Sequence, residues 1–471
     1  MAVQAEKSPG QGQSDGLSAR QFSDPDWAWA EYRPDAQRPW NLVRAGHLYR
    51  RAAFGADWNE LQQALSDGPQ TSIDKLLSPP ADTAAFNLAC DKYENATGSV
   101  NALRAWWLRR MIQTPHPLLE KMTLFWHSHF GATGARAKDA RLMRRHVQSL
   151  RSHALGSFRA MLQGVSRDPA VLISLGADAN RKALVNENFA RALMETFTLG
   201  SANYTEEDIR EAARAFTGWF TMSGRLRYIP REHDGSRKRI LGQEGNFTGD
   251  DVVRIVLEQP ATARMLVRKL YRWLISETEE PKAELIDPLA ESFAEDYNIL
   301  KLVAAILRSN LFFSASAYRR RIKCPAEFAV GIARALEAMV STTQLAQDVA
   351  DLGQNLYHPP TATGWTGERH WINDATMAGR SNLALALLRG SGPYGDKLDP
   401  RAVAEKHGSS TPESARQFLL DLFLQDDLDS DVRDALLKTM EAPTGTGGSD
   451  PAGMLRRFAH AVFTLPEFHL A

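Results

Sequence analysis

Along most of this chain apolar side chains return every three or four residues, and that spacing commits it to helices. After Pro260, the residues Met265, Leu266, Leu270, Trp273 and Leu274 form one such stripe. After Pro117, Leu118, Met122, Phe125 and His129 recur at i, i+4, i+7 and i+11 and form another. Helix starts are equally explicit. Asp168-Pro169 offers a capping carboxylate followed by a proline in the first turn. Thr205-Glu206-Glu207-Asp208 has the capping-box pattern, with Ile209, Ala212, Ala213 and Phe216 at helical spacing behind it. The expected fold is all-α: one large multi-helix globular body. With 43% of 471 residues hydrophobic, the chain can fill the core of such a body.

Two stretches break the rhythm. Arg225 to Ile229 and Arg237 to Leu241 alternate weakly around Asp234-Gly235, which predicts a small β-hairpin insertion at about 220–245. Residues 353–373 hold prolines, glycines and aromatics in a loop too long for a plain connector, and are expected to be ordered. Residues 1–39 read as a disordered tail followed by an aromatic arm (Trp27, Trp29 and Tyr32, with Trp40 just beyond) packed on the body. The main helical domain is expected over 40–390, and a polar linker with a C-terminal helical segment over 391–471, broken by a Gly/Thr-rich run at Thr444 to Asp450.

Charge narrows the function classes. With 56 basic and 56 acidic residues, bulk attraction to nucleic acid or an anionic membrane is not expected. A basic stretch, Arg136 to Arg151, reads as a solvated helix face or a local anion site. Two distant cysteines, Cys90 and Cys324, form neither a disulfide framework nor a zinc pattern. No run approaches the ~18 apolar residues of a membrane span, and Met1 to Ser23 lacks a signal-peptide core. As written, the protein is expected in the cytoplasm, or exported in complex with a signal-bearing partner.

Four segments stand out together. They are Gly46 to Gly55 (GHLYRRAAFG), Phe125 to Phe130 (FWHSHF), Asn186 to Arg191 (NENFAR) running on to Thr217-Gly218-Trp219, and Gly353-Gln354 leading to Trp371-Ile372-Asn373. In order and spacing they resemble the bacterial family known as domain of unknown function 1800, from about Trp40 to the end of the chain. Two positions depart from the family pattern, Ala192 where a Glu is frequent and Phe197 where a His is frequent. The resemblance implies a context: relatives often neighbour genes for a sulfatase-like family, many of whose members carry export signals.

Several residue groups are candidates for chemistry. His127-Ser128-His129 invites a metal site, but on a helix the two imidazoles point nearly opposite ways, so His129 is read as a core residue and no metal is assigned. Glu187, Arg191 and Glu195 fall at i, i+4 and i+8, with Asn188 beside them. They are either an exposed charge ladder or a cleft in which Arg191 positions an anion and the carboxylates act as acid and base. His233-Asp234, with Lys238 four residues on, is either turn chemistry or a proton relay. In the 353–373 loop, Gln354, Trp365 and Trp371 either anchor the loop or stack against a ligand.

Walker, Gly-x-Gly-x-x-Gly, Gly-x-Ser-x-Gly and His-Glu-x-x-His motifs are all absent, which disfavours the standard chemistries and leaves any cofactor undefined. Two functions follow. The first, favoured because no recognised catalytic constellation is present, is a helical partner or escort of a sulfatase-like enzyme. The second is an enzyme on an anionic or carbohydrate substrate, with the Glu/Arg/Glu cleft as its centre and the tryptophan loop as lid. Convergence of these residues on one pocket favours the second, and scatter with a large exposed apolar patch favours the first.

Overall fold

Pro117 opens a helix, Pro117–His129, against which much of the molecule is laid, because nearly every face of it is apolar or paired. Leu118, Met122, Leu124 and Trp126 on it are essentially inaccessible. The computed structural model describes residues 22–95, 98–441 and 451–471. The tail through residue 21 and the Gly/Thr-rich run lie outside the described residues. The fold is all-α, with two small antiparallel two-stranded sheets as its only strands among the described residues.

The predicted helix starts form as the side chains dictate. Asp168 caps Pro169–Ser174 through Ala170 N, and Thr205 with Asp208 closes a capping box on Glu206–Ala215. The stripe after Pro260 becomes Pro260–Leu274, whose Leu266, Leu270 and Leu274 are buried. One continuous hydrophobic core runs from Tyr32 through Trp107, Trp126 and Phe158 to Phe463 and Phe468. The aromatic arm lies across it, with Trp29 Nε1 donating to Leu285 O at 2.7 Å and Trp40 Nε1 to Ala64 O at 2.9 Å. The last helices close back onto it: Pro412–Leu424 packs on Leu42–Ala52, and Pro451–Thr464 on Asp374–Leu388.

The strand region differs from the expectation in its pairing. Arg225–Tyr228 pairs with Trp219–Met222, and Lys238–Ile240 with Gln243–Gly245. The tight turns are Ser223-Gly224 and Leu241-Gly242, all four at positive φ as a two-residue hairpin turn requires. Asp234-Gly235 is not a hairpin turn, because the Asp234 side chain is held by Arg214 and its backbone N–H by Thr217 Oγ1.

Two buried charge clusters hang on the central helix. Glu120 accepts from Arg110, Arg151 and Trp107 Nε1, the last at 2.9 Å. Burial alone would raise its pKa, but Arg151 and Arg110 overcome that and hold it at about 2. One residue along, Lys121 pairs with Glu327 and donates to Ala53 O at 2.7 Å.

Candidate functional site

The central helix ends at His129, beside a cavity of about 510 Å³, a size ordinary for small-molecule sites. Besides Glu277, Arg321 and Cys324, three further elements wall it: the segment around Glu195 and Thr196, the helix Pro260–Leu274, and the loop carrying Trp365 and Trp371.

The Glu195 segment is not the uniform α-helix its spacing predicts. After an α-turn at Asn188–Arg191 it widens into a π-helix, Ala192–Thr198. Leu199 N reaches back five residues to Met194 O at 2.8 Å, and Thr198 Oγ1 donates to Leu193 O at 2.6 Å. A π-turn carries about one residue more than an α-turn, so Glu195 no longer stacks on Arg191. Glu195 lines the cavity, whereas Arg191 turns outward to Glu206, at 2.7 Å, and Glu187, at 3.3 Å. Arg191 and Asn188 line a second, adjoining cleft of about 500 Å³ that shares Glu195 and Thr196 with the first.

The loop is pinned where the central helix ends. A Cβ on Gly364 would lie 2.0 Å from Ser128 O, and Gly364 has φ +79°, so this close approach needs glycine. Tyr357 and Trp371 are buried anchors, while Trp365 is half-buried in the cavity wall. Gln354 reaches the same cavity and accepts from Ala326 N at 2.8 Å. Glu368 pairs with Arg272 on the opposite helix, tying the loop across the mouth.

Lys269, which the sequence reading passed over, sits in this wall. Its helix places Met265, Lys269 and Trp273 four residues apart on the cavity side. Lys269 Nζ donates to His129 Nδ1 at 3.0 Å and to Thr196 O at 3.2 Å. The partner atoms fix the tautomer of His129. Its Nε2 carries the proton donated to Phe197 O at 3.2 Å, so Nδ1 is a lone pair that accepts from the lysine. Burial and the neighbouring Lys269 charge drive the His129 pKa well down, which keeps the ring neutral. Burial likewise lowers Lys269 to about 8. Among the described residues no carboxylate lies within ion-pair distance of this ammonium.

The other polar groups of the cavity are differently occupied. Glu277 accepts from Ile322 N at 2.6 Å, and burial raises its pKa. Arg321 is paired with Glu327 and lies 4.5 Å from the Trp273 ring centroid. Cys324 is buried and its thiol is pushed up to about 12, so it is not a nucleophile at neutral pH. Trp273 Nε1 is buried and has no hydrogen-bond partner among the described residues.

His127 lies apart from His129, as a helix demands. It is fully buried, with Nε2 accepting from Tyr357 N at 3.1 Å. His233, Asp234 and Lys238 form a separate cluster beside Arg214 and line neither cleft. His233 Nδ1 donates to Thr217 O at 2.9 Å, Lys238 donates to Ser236 O at 3.0 Å, and Arg214 holds the Asp234 pKa far down. Of the basic stretch, Arg151 is committed to Glu120. Of the residues singled out from sequence, Glu195, Gln354, Trp365 and Trp371 therefore share one cavity, and Glu187, Arg191 and Asn188 stand outside its rim.

Ala192 and Phe197 both fall on the π-helix. Ala192 lines the adjoining cleft, and the Phe197 ring lies 6.2 Å from His129. No curated protein and no solved structure matches the chain. The family model described as "Protein of unknown function (DUF1800)" matches residues 47–470, and the chain belongs to that family.

Proposed function

We propose that the cavity between the central helix and the 353–373 loop binds a small anionic ligand with a flat apolar face, an acidic sugar being the class that fits. The observation that carries this reading is Lys269: a half-buried ammonium without a carboxylate partner among the described residues, held against a neutral imidazole. Such a charge is poorly solvated and gains from an incoming anion. Trp365, half-buried in the cavity wall, supplies a ring face for stacking, and Gln354 supplies a polar contact.

Acid–base chemistry on such a ligand has its groups at hand. Glu277, whose pKa burial raises, is suited to donate a proton from the inner wall, and Glu195 stands at the exposed rim. The alternative role, escort of a sulfatase-like enzyme, draws on the family resemblance and on no surface of this molecule. Among the described residues the exposed large apolar side chains are Leu88 and Leu385 on two helices, Met222 and Tyr228 on the two paired strands, and Leu184 and Val185 in the segment between Ser174 and Asn188.

Calorimetric titration of glucuronate, galacturonate and a glucose sulfate, against neutral glucose, tests the reading. Saturable binding of the acidic sugars, weakened ~10–100-fold in Lys269→Met, is expected from one charge-assisted hydrogen bond. Equal binding of glucose, or undiminished binding by Lys269→Met, would sink it.

A further inference from the structure

The segment that lends Arg321 and Cys324 to the large cavity lends Lys323 and Glu327 to a second, much smaller one of about 40 Å³. The Gly46-to-Gly55 segment, which the proposed function leaves unused, supplies another wall through Gly46, Arg50 and Phe54. Gln425 and Phe468 from the C-terminal helices close it.

Its charge is unbalanced. Arg50 and Lys323 are 8% and 9% exposed. Arg50 Nη1 donates to Gln425 Oε1, but its Nε and Nη2 are buried and have no hydrogen-bond partner among the described residues. The Lys323 ammonium sits 4.1 Å from the Phe468 ring centroid and has no carboxylate within ion-pair distance among the described residues. The carboxylates nearby are committed elsewhere. Glu327 serves Arg321, Lys121 and the Cys324 N–H, while Asp427 serves Arg319 at 3.3 Å and the Tyr318 hydroxyl at 2.6 Å. Buried cations without a carboxylate partner are costly, and a space between two of them that holds only a water-sized or ion-sized guest is best filled by a negative charge.

We infer that this cavity is a binding site for one small inorganic anion of chloride size, held between Arg50 and Lys323. Its volume excludes the ligand proposed for the large cavity, so the two sites stand or fall separately. Burial, then the Arg50 charge, drives the Lys323 pKa well down, so anion binding carries a proton with it and weakens as pH rises.

The test is thermal unfolding of the full chain as sodium chloride replaces sodium gluconate at constant ionic strength. A rise in Tm that is linear in the logarithm of chloride concentration above the Kd is expected, ~1 °C per tenfold for a chain of this length, and a smaller one at pH 9 than at pH 7. Lys323→Met, which keeps volume and removes the charge, is expected to lose the chloride response and to match or exceed the wild type in gluconate. If that variant does not fold, the anomalous map of wild-type crystals grown in bromide decides, with a peak expected between Arg50 and Lys323. No chloride response, the same response in Lys323→Met, or bromide at surface positions alone (an adventitious ion only) overturns the inference.

Discussion

Replacing Lys269 by methionine separates a functional lysine from a structural one by the sign of its effect. Burial lowers the Lys269 pKa from 10.5 to about 8, a difference that corresponds to about 3 kcal/mol of unfavourable charge burial at neutral pH. Against this stand two hydrogen bonds, to His129 Nδ1 and Thr196 O, worth about 1 kcal/mol each. Methionine preserves the stem and removes both contributions. The variant is therefore expected to be about 1 kcal/mol more stable than the wild type at pH 7. The pH dependence follows from linkage. Between the folded value of about 8 and the ordinary 10.5, the unfolded chain binds more protons, so wild-type stability rises with pH across that window. By pH 10.5 the penalty is largely gone and only the hydrogen bonds remain, so there the variant becomes about 1–2 kcal/mol less stable. Urea denaturation at the two pH values, followed by tryptophan fluorescence, reads the difference. A variant less stable at both, by an amount independent of pH, refutes the reasoning.

Glu120→Gln leaves Arg110 and Arg151 facing each other without a counter-charge, and a loss of ~3–5 kcal/mol in chemical denaturation is expected. In the wild type the same group contributes about 3 kcal/mol above its ordinary pKa of 4.5, which disappears as pH falls through about 2, so Glu120→Gln should flatten the acid limb of the stability curve. Trp365→Ala, at a half-buried position in the cavity wall, is expected to weaken acidic-sugar binding ~3–10-fold while leaving the helical circular-dichroism spectrum unchanged. Cys324, with its thiol pushed up to about 12 by burial, should resist a thiol reagent at pH 8 until the protein is unfolded, and rapid labelling of the native chain would contradict its placement.

Much of the helical framework was legible because stripes and caps are local. Pro260–Leu274 and Glu206–Ala215 follow directly from residues within each helix. The hairpin pairing was not, because Asp234-Gly235 has good turn chemistry while the chain spends that aspartate on Arg214, a residue twenty positions away. The π-helix was equally hidden. Nothing in Ala192–Thr198 distinguishes an i→i−5 turn from an ordinary one, yet that turn moves Glu195 off the ladder and into the cavity. Lys269 left a fainter signal. It lies four residues from both Met265 and Trp273 on a face that is otherwise apolar, which a long side chain reaching for solvent would also explain. His129 was read as a core residue, and so it is, but its free lone pair has meaning only once Lys269 is brought against it from another helix.

The central claim is that Lys269, charged and unpaired, holds the ligand's negative group. The most direct measurement is the Kd of glucuronate as a function of pH from 6 to 10, for the wild type and Lys269→Met. The account predicts a wild-type affinity that is flat below pH 7.5 and falls towards tenfold per unit above the Lys269 pKa of about 8, with no such break in the variant. An affinity that stays flat to pH 9.5, or the same profile in Lys269→Met, would contradict it.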